Sequence, residues 1–191
     1  MSTTSRLLAR PPTTGDDPLE DIILGGGCFW CVEGALKGLR GVSEVISGYS
    51  GGHVQNPSYE QVCGKKTGHA EVVKVSFDPT TIDRKSLLEV FFTCHDPTQL
   101  NRQGNDIGPH YRSVIFYSSE AQMTDSFSVI EEMSDVYNNE IVTEVSPLKN
   151  FYVAEKYHHD YFKNNPSNPY CMMVVAPKIA KTRANHAHLY E

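Results

Sequence analysis

Three apolar residues, Ile22 to Leu24, run straight into Gly25-Gly26-Gly27 and then into Cys28-Phe29-Trp30-Cys31. Beyond Cys28, apolar side chains fall at Val32, Ala35, Leu36 and Leu39, the spacing of one helix face. A strand turning directly into a helix, with a second strand at Val42 to Tyr49, is an early β-α-β order. Such an order points to an α/β sandwich, with helices packed on a mixed sheet. The rest of the chain keeps mixing the two periods. Ala70 to Phe77 alternates as a strand does, and Asp83 caps a helix carrying Leu87, Leu88, Phe91 and Phe92. A polar loop, Asn101 to Pro109, precedes a strand expected at Tyr111 to Tyr117. Ser119 caps a longer helix with Met123, Phe127, Ile130 and Met133, and a short strand is expected at Ile141 to Val145. Ala154 to Lys163 reads as a short helix stopped by Asn164-Asn165-Pro166. Tyr170 to Ala176 reads as a last extended segment, with a charged tail behind it.

With 191 residues the chain can bury a core as one domain, expected over residues 20–181 between an N-terminal tail (1–19) and a C-terminal tail (182–191). A formal net charge of −6 offers no basic field for phosphates, which argues against nucleic acid as a partner. No apolar run reaches membrane-spanning length, so no membrane is expected. Met1 to Gly15 holds Arg6 and Arg10 but no acid, which suits either a transit segment or a disordered tail. Five scattered cysteines do not suit a secreted disulfide framework. The expected location is the cytoplasm, or a mitochondrion or other organelle if the first residues are an address.

In a reducing compartment a Cys-x-x-Cys pair is more often catalytic or metal-bound than structural. Cys28 falls at a helix N-terminus, where unpaired N–H groups and the macrodipole favour a thiolate and should lower its pKa. Cys31 lies one turn on and faces the same way, so it could attack an oxidised Cys28 sulfur. A zinc hook would need two more ligands, and Cys63, Cys94 and Cys171 are solitary, so no metal is expected. Phe29 and Trp30, the only tryptophan, read equally as core packing and as an aromatic wall holding an apolar group beside the thiol. In Ala70-Glu71-Val72-Val73-Lys74-Val75-Ser76-Phe77, Glu71 is in phase with Val73, Val75 and Phe77. A carboxyl turned inward has its pKa raised and becomes a candidate general acid. Tyr49, Tyr111 and Asp106 each have ordinary readings, two half-buried phenols and a turn residue. His158 and His159 are expected on a solvated helix face, His186 and His188 in the tail, and Met172-Met173 as core filler.

The blocks "GGGCFWCVE", "GYSGG", "NPSYEQVC", "TGHAEVVKVSFDP", "HDPTQLNRQGNDIGPHYRSVIFY" and "AEKYHHDYF" together resemble the A-type peptide methionine sulfoxide reductases, in the same order, over about Ile22 to Lys181. The resemblance implies a two-layer α+β sandwich around a ferredoxin-like core. It also implies reduction of the S-epimer of methionine sulfoxide, free or in proteins, by a monomer without a bound cofactor. By motif position, Cys28 resembles the nucleophile, Phe29 and Trp30 the clamp on the substrate methyl, and Glu71 the proton donor. Tyr49 and Tyr111 would bind the sulfoxide oxygen, and Asp106 would anchor the polar side of the pocket. The sulfenic acid left on Cys28 would condense with a second thiol, and thioredoxin would reduce the disulfide. The chain departs from the family in three places. Many members have Gly where Cys31 stands. Its end, after Pro177, lacks the Cys and Gly of the usual resolving tail, which leaves Cys31 and Cys171; Cys31 is preferred because helical spacing guarantees its proximity. His110 stands where Gln is commoner. A general thiol–disulfide oxidoreductase using Cys28 and Cys31 is the rival, although it leaves Glu71 and Trp30 without a role.

Overall fold

The computed structural model describes residues 18–138 and 140–191. The candidate transit segment, Met1 to Gly15, lies outside them. In chain order the elements are β1 (Glu20–Gly25), α1 (Phe29–Leu36), β2 (Val42–Ser50), α2 (Tyr59–Cys63), β3 (Ala70–Phe77), α3 (Arg84–Cys94), β4 (Arg102–Gln103), β5 (Asp106–Ile107), β6 (Val114–Tyr117), α4 (Glu120–Met133), β7 (Glu144–Pro147), β8 (Tyr152–Val153), α5 (Tyr161–Asn164) and α6 (Ala176–Asn185). Six strands form one mixed sheet in the order β7-β6-β1-β3-β2-β8, with only β6 and β7 parallel. Its centre, built by β1-α1-β2-β3-α3-β6 with strand order β6-β1-β3-β2, is the expected ferredoxin-like arrangement.

Strand alternation divides the apolar residues between the two sheet faces. Ile22, Leu24, Val73, Val75 and Phe77 meet Val32, Ala35 and Leu36 of α1 and Leu87, Leu88, Phe91 and Phe92 of α3 in the main core. Ile23, Val72, Val114 and Phe116 form a smaller cluster on the other face, covered by Leu148 and Phe151. Asp83 and Ser119 cap α3 and α4 as their spacing predicts, accepting from the backbone N–H of Ser86 and Gln122.

The structure departs from the sequence reading in the last third of the chain. The strand expected from Tyr111 starts at Val114, and Tyr111 closes a 3-10 turn, Pro109–Tyr111. The strand expected at Ile141 to Val145 runs from Glu144 to Pro147. The helix expected at Ala154 to Lys163 is a 3-10 turn at Lys156–His158 followed by the short α5, because Asp160 between them is left-handed at φ +53. The extended segment expected at Tyr170 to Ala176 is a π-helical turn, Cys171–Val175, leading into α6. Cys171, Val175 and Ile179 recur every four residues and bury one face, so packing overrides the β-branched composition. Pro177, which has no N–H to give to a preceding carbonyl, falls where the π-helical turn passes into α6. Residues 182–191 are packed rather than a free tail. Thr182 is buried, Arg40 N–H donates to the Leu189 carbonyl at 2.9 Å, and the Tyr190 hydroxyl donates to the Ala35 carbonyl at 2.7 Å.

Candidate active site

The turn between β1 and α1 puts Cys28 at the N-cap of α1. Gly27 makes this possible: its φ of +88 is left-handed, and a Cβ there would lie 2.7 Å from the Gln103 side chain. Gln103 is itself fixed, accepting from Asp96 N–H and donating to the Asp96 carbonyl. Glu71 stands opposite Tyr49 across β3 and β2, so both side chains leave the sheet on the same face. Both are buried, Glu71 at 1% exposure. Glu71 Oε2 accepts from the backbone N–H of Phe29 at 3.1 Å, which ties the carboxyl to the first turn of α1, one residue from Cys28.

Burial raises the Glu71 pKa well above its ordinary 4.5, and repulsion from Cys28 adds to this. The inward phase of the strand is therefore borne out. The expected low pKa of Cys28 is not. Burial pushes that thiol well above its usual value, and the hydrogen-bonded Cys31 thiol adds to the rise. The Trp30 N–H and the Tyr170 hydroxyl favour the thiolate without overcoming desolvation. A helix N-terminus lowers a thiol pKa when the thiol is wet; this one is 7% exposed. The site thus favours two neutral acids, a thiol and a carboxyl.

Cys28, Cys31 and Cys171 share one buried cluster with Val175 and Ile179. All five cysteines are free thiols. Cys31 lies against Cys28 as helical spacing requires. Cys171 reaches the same cluster from the far end of the chain, a contact spacing could not reveal. Among the described residues, no group of three His, Cys, Asp or Glu side chains is placed to hold a metal ion.

The two aromatics between the thiols part company. Phe29, 1% exposed, packs in the main core against Tyr49 and His158, at centroid distances of 5.8 and 4.9 Å. Trp30 is partly exposed and stacks on Tyr161 at 3.6 Å, with Tyr170 edge-on at 5.9 Å. Its Nε1–H donates to His158 Nδ1 at 3.2 Å. His158 is accordingly buried, not on a solvated helix face, because the helix that would have exposed it is broken at Asp160. Met172 and Met173 are 59% and 79% exposed rather than core filler, since the helical turn aims Cys171 and Val175 inward instead.

Tyr111 borders the cysteine cluster and packs on His110 at 3.9 Å. His110 is buried with no hydrogen-bond partner for Nδ1. Asp106 Oδ2 accepts from the Tyr170 hydroxyl, and the Tyr49 hydroxyl donates to Glu155 Oε2 at 2.8 Å. Burial first, and then nearby acids, push the phenols of Tyr49, Tyr111 and Tyr170 upward, so all three stay protonated.

Residues 20–190 match the family model for peptide methionine sulfoxide reductases. The chain belongs to the peptide methionine sulfoxide reductase family. It is 52% identical over 164 residues to the peptide methionine sulfoxide reductase MsrA of Haloquadratum walsbyi, covering 86% of this chain and 94% of that one. Among solved structures, reduced Mxr1 of Saccharomyces cerevisiae superposes with a TM-score of 0.78 at 34% identity, covering 87% of this chain and 96% of that one. Mxr1 in complex with Trx2 matches with a TM-score of 0.56 at 26% identity, over 81% and 94% of the two chains. The chain is thus an oxidoreductase that reduces methionine sulfoxide. No helix among its described residues is long and apolar enough to cross a membrane.

The sequence reading did not single out Tyr170, Tyr161 and Glu155, which the structure sets against Asp106, Trp30 and Tyr49. Tyr170 directly precedes Cys171, and the other two lie in "AEKYHHDYF". Their signal was an unusual density of aromatic and acidic residues outside any amphipathic pattern.

Proposed function

We propose that the chain reduces the S-epimer of methionine sulfoxide, free and in proteins, with Cys28 as nucleophile and Glu71 as proton donor. The observation that carries this reading is the buried Glu71 carboxyl, held by the Phe29 N–H beside Cys28 and driven toward its neutral form. A neutral sulfoxide is a poor electrophile. Protonating its oxygen withdraws electrons from sulfur and opens it to attack. Glu71 gives its proton to that oxygen as the Cys28 sulfur bonds to the sulfoxide sulfur, and the Cys28 proton replaces the one Glu71 gave. The oxygen then passes to Cys28. One thiol and one sulfoxide become one sulfenic acid and one methionine, with no net proton released.

Tyr49 and Tyr111 hydrogen-bond the sulfoxide oxygen, and Asp106, through Tyr170, anchors the polar wall. Phe29 and Trp30 hold the methyl group. Cys31 resolves the sulfenic acid, forming a disulfide with Cys28 and releasing water, and Cys171 is the alternative. Thioredoxin returns the disulfide to thiols, a reading supported by the yeast relative solved with Trx2. The protein works as a cytoplasmic monomer on a single catalytic domain, without a bound cofactor.

NADPH oxidation coupled through thioredoxin and its reductase, run with each sulfoxide epimer, tests the reading. Turnover is expected on the S-epimer alone and absent in Cys28→Ser; undiminished activity in that variant would overturn it. Mass spectrometry after one equivalent of substrate then names the resolving thiol, with Cys28–Cys31 the expected bridge.

A further inference from the structure

The block "AEKYHHDYF" holds an acid that the reaction as derived leaves idle. Glu155 precedes the 3-10 turn Lys156–His158, and both of its carboxylate oxygens are engaged. Oε2 accepts from the Tyr49 hydroxyl at 2.8 Å, and Oε1 accepts from the Tyr59 backbone N–H at 2.9 Å. One side chain therefore joins β2, α2 and the segment after β8. His158 Nδ1 accepts from Trp30, which leaves the ring proton on Nε2. That Nε2 lies 3.8 Å from Glu155 Oε2 and has no hydrogen-bond partner of its own. The carboxylate is thus surrounded by donors and stays ionised.

A phenol has a single proton. While Tyr49 gives it to Glu155, the phenol offers the pocket only its lone pairs. Glu71, opposite Tyr49 on the neighbouring strand, supplies the proton that the sulfoxide oxygen needs. Once protonated, that oxygen becomes a donor and needs an acceptor. We propose that Glu155 is a positioning residue for the reduction: by accepting the Tyr49 proton, it turns the phenol oxygen into the acceptor for the protonated sulfoxide oxygen. A carboxylate suits this task because a charge-assisted bond is short and strong, and it makes the phenol oxygen a better acceptor in turn. The inference rests on the placement of Tyr49 at the sulfoxide oxygen in the reading above.

Glu155→Gln keeps the shape and reverses the pattern. The Gln oxygen can still take the Tyr59 N–H, but its amide then donates to Tyr49 and turns the phenol proton toward the pocket. The test is the single-turnover rate of methionine formation in Glu155→Gln, Tyr49→Phe and the double variant, each checked for folding by thermal unfolding. Glu155→Gln is expected to lose about tenfold, the scale of one hydrogen bond to a charged group. Tyr49→Phe is expected to lose at least as much, and the double variant no more than Tyr49→Phe alone. A wild-type rate in Glu155→Gln overturns the inference. So does a further tenfold loss on adding it to Tyr49→Phe, because a scaffolding role slows both backgrounds equally. A wild-type rate in Tyr49→Phe removes Tyr49 from the sulfoxide oxygen and the inference with it, leaving Cys28 and Glu71 untouched. Should Glu155→Gln fail to fold, Glu155→Asp, which keeps the charge but shortens the reach, is compared across the same two backgrounds.

Discussion

Glu71 is where the proposed proton transfer works against stability in this chain. In the folded protein its carboxyl favours the neutral form, chiefly because it is buried. Below the ordinary value of 4.5, folded and unfolded chains are both protonated there, and the site costs nothing. As pH rises past that value the unfolded carboxyl ionises freely while the folded one resists. Stability is therefore lost up to the raised folded pKa, by at most about 1.4 kcal/mol per pH unit. Gln cannot ionise and can still accept from the Phe29 N–H. Glu71→Gln is expected to unfold at higher denaturant than the parent at pH 7 to 8, with the gap closing by pH 4. Its sulfoxide reduction should meanwhile slow by about 100-fold or more, the usual worth of a general acid. Equal midpoints at all pH values would show that the carboxyl is not held neutral. His95 has the opposite sign. It is buried and drops to about 4, with Nδ1 on the Phe91 carbonyl and Nε2 on the Ser113 hydroxyl. Its contribution is complete above its ordinary 6.5 and lost as pH falls toward 4.

At the scale of elements, the site is a strand-to-helix turn, two adjacent strands and a distant helical segment, and these were unequally readable. Glu71, Tyr49 and Cys28 follow from local rules: a period of two fixes which side chains share a face, and glycines before a helical period fix the turn. Cys171, Tyr170 and His158 depend on where a segment more than a hundred residues away docks, and local pattern carries no such information. The Tyr170 to Ala176 error has the same root, since a short apolar run reads alike as strand or buried helix until its neighbours are known. The docking itself can be tested at Gly34. A Cβ there would lie 2.3 Å from Ile179 Cδ1, so α1 and α6 meet only because this position is bare. Gly34→Ala gains helix propensity of about 1 kcal/mol but overpacks a closed contact, at about 1–3 kcal/mol. A net loss of about 1 kcal/mol is expected in chemical denaturation. Ile179→Val, which removes the offending methyl, should recover most of it in the double variant. Failure to recover would mean that the contact is not the cause.

For the whole molecule, the end of the chain acts as a clasp on the site rather than as a tail. α6 packs along α1, and its preceding turn carries Cys171 into the cluster around Cys28. The last residues then close back on the opposite end of α1: Tyr190 bonds to Ala35, pairs with Leu39 and lies under Arg183 at 5.3 Å, while the Leu189 carbonyl accepts from Arg40 N–H. Helix α1 is thus held at its N-terminus by Glu71 and behind its C-terminus by Tyr190. Removing residues 187–191 exposes apolar surface along α1 and α6 and frees the Ala35 carbonyl. Burying one large side chain contributes about 1.5–3 kcal/mol and one hydrogen bond about 1 kcal/mol. The truncated chain is therefore expected to lose about 2–4 kcal/mol and to melt roughly 5–15 °C lower, as a domain of this size shifts about 2–4 °C per kcal/mol. Because the loosened α6 continues directly from the turn that carries Cys171, that thiol should react faster with an alkylating reagent in the truncated protein than in the full chain. Cys63, which lies outside the clasped cluster, should keep its rate. Equal Cys171 rates in the two proteins would separate the clasp from the site.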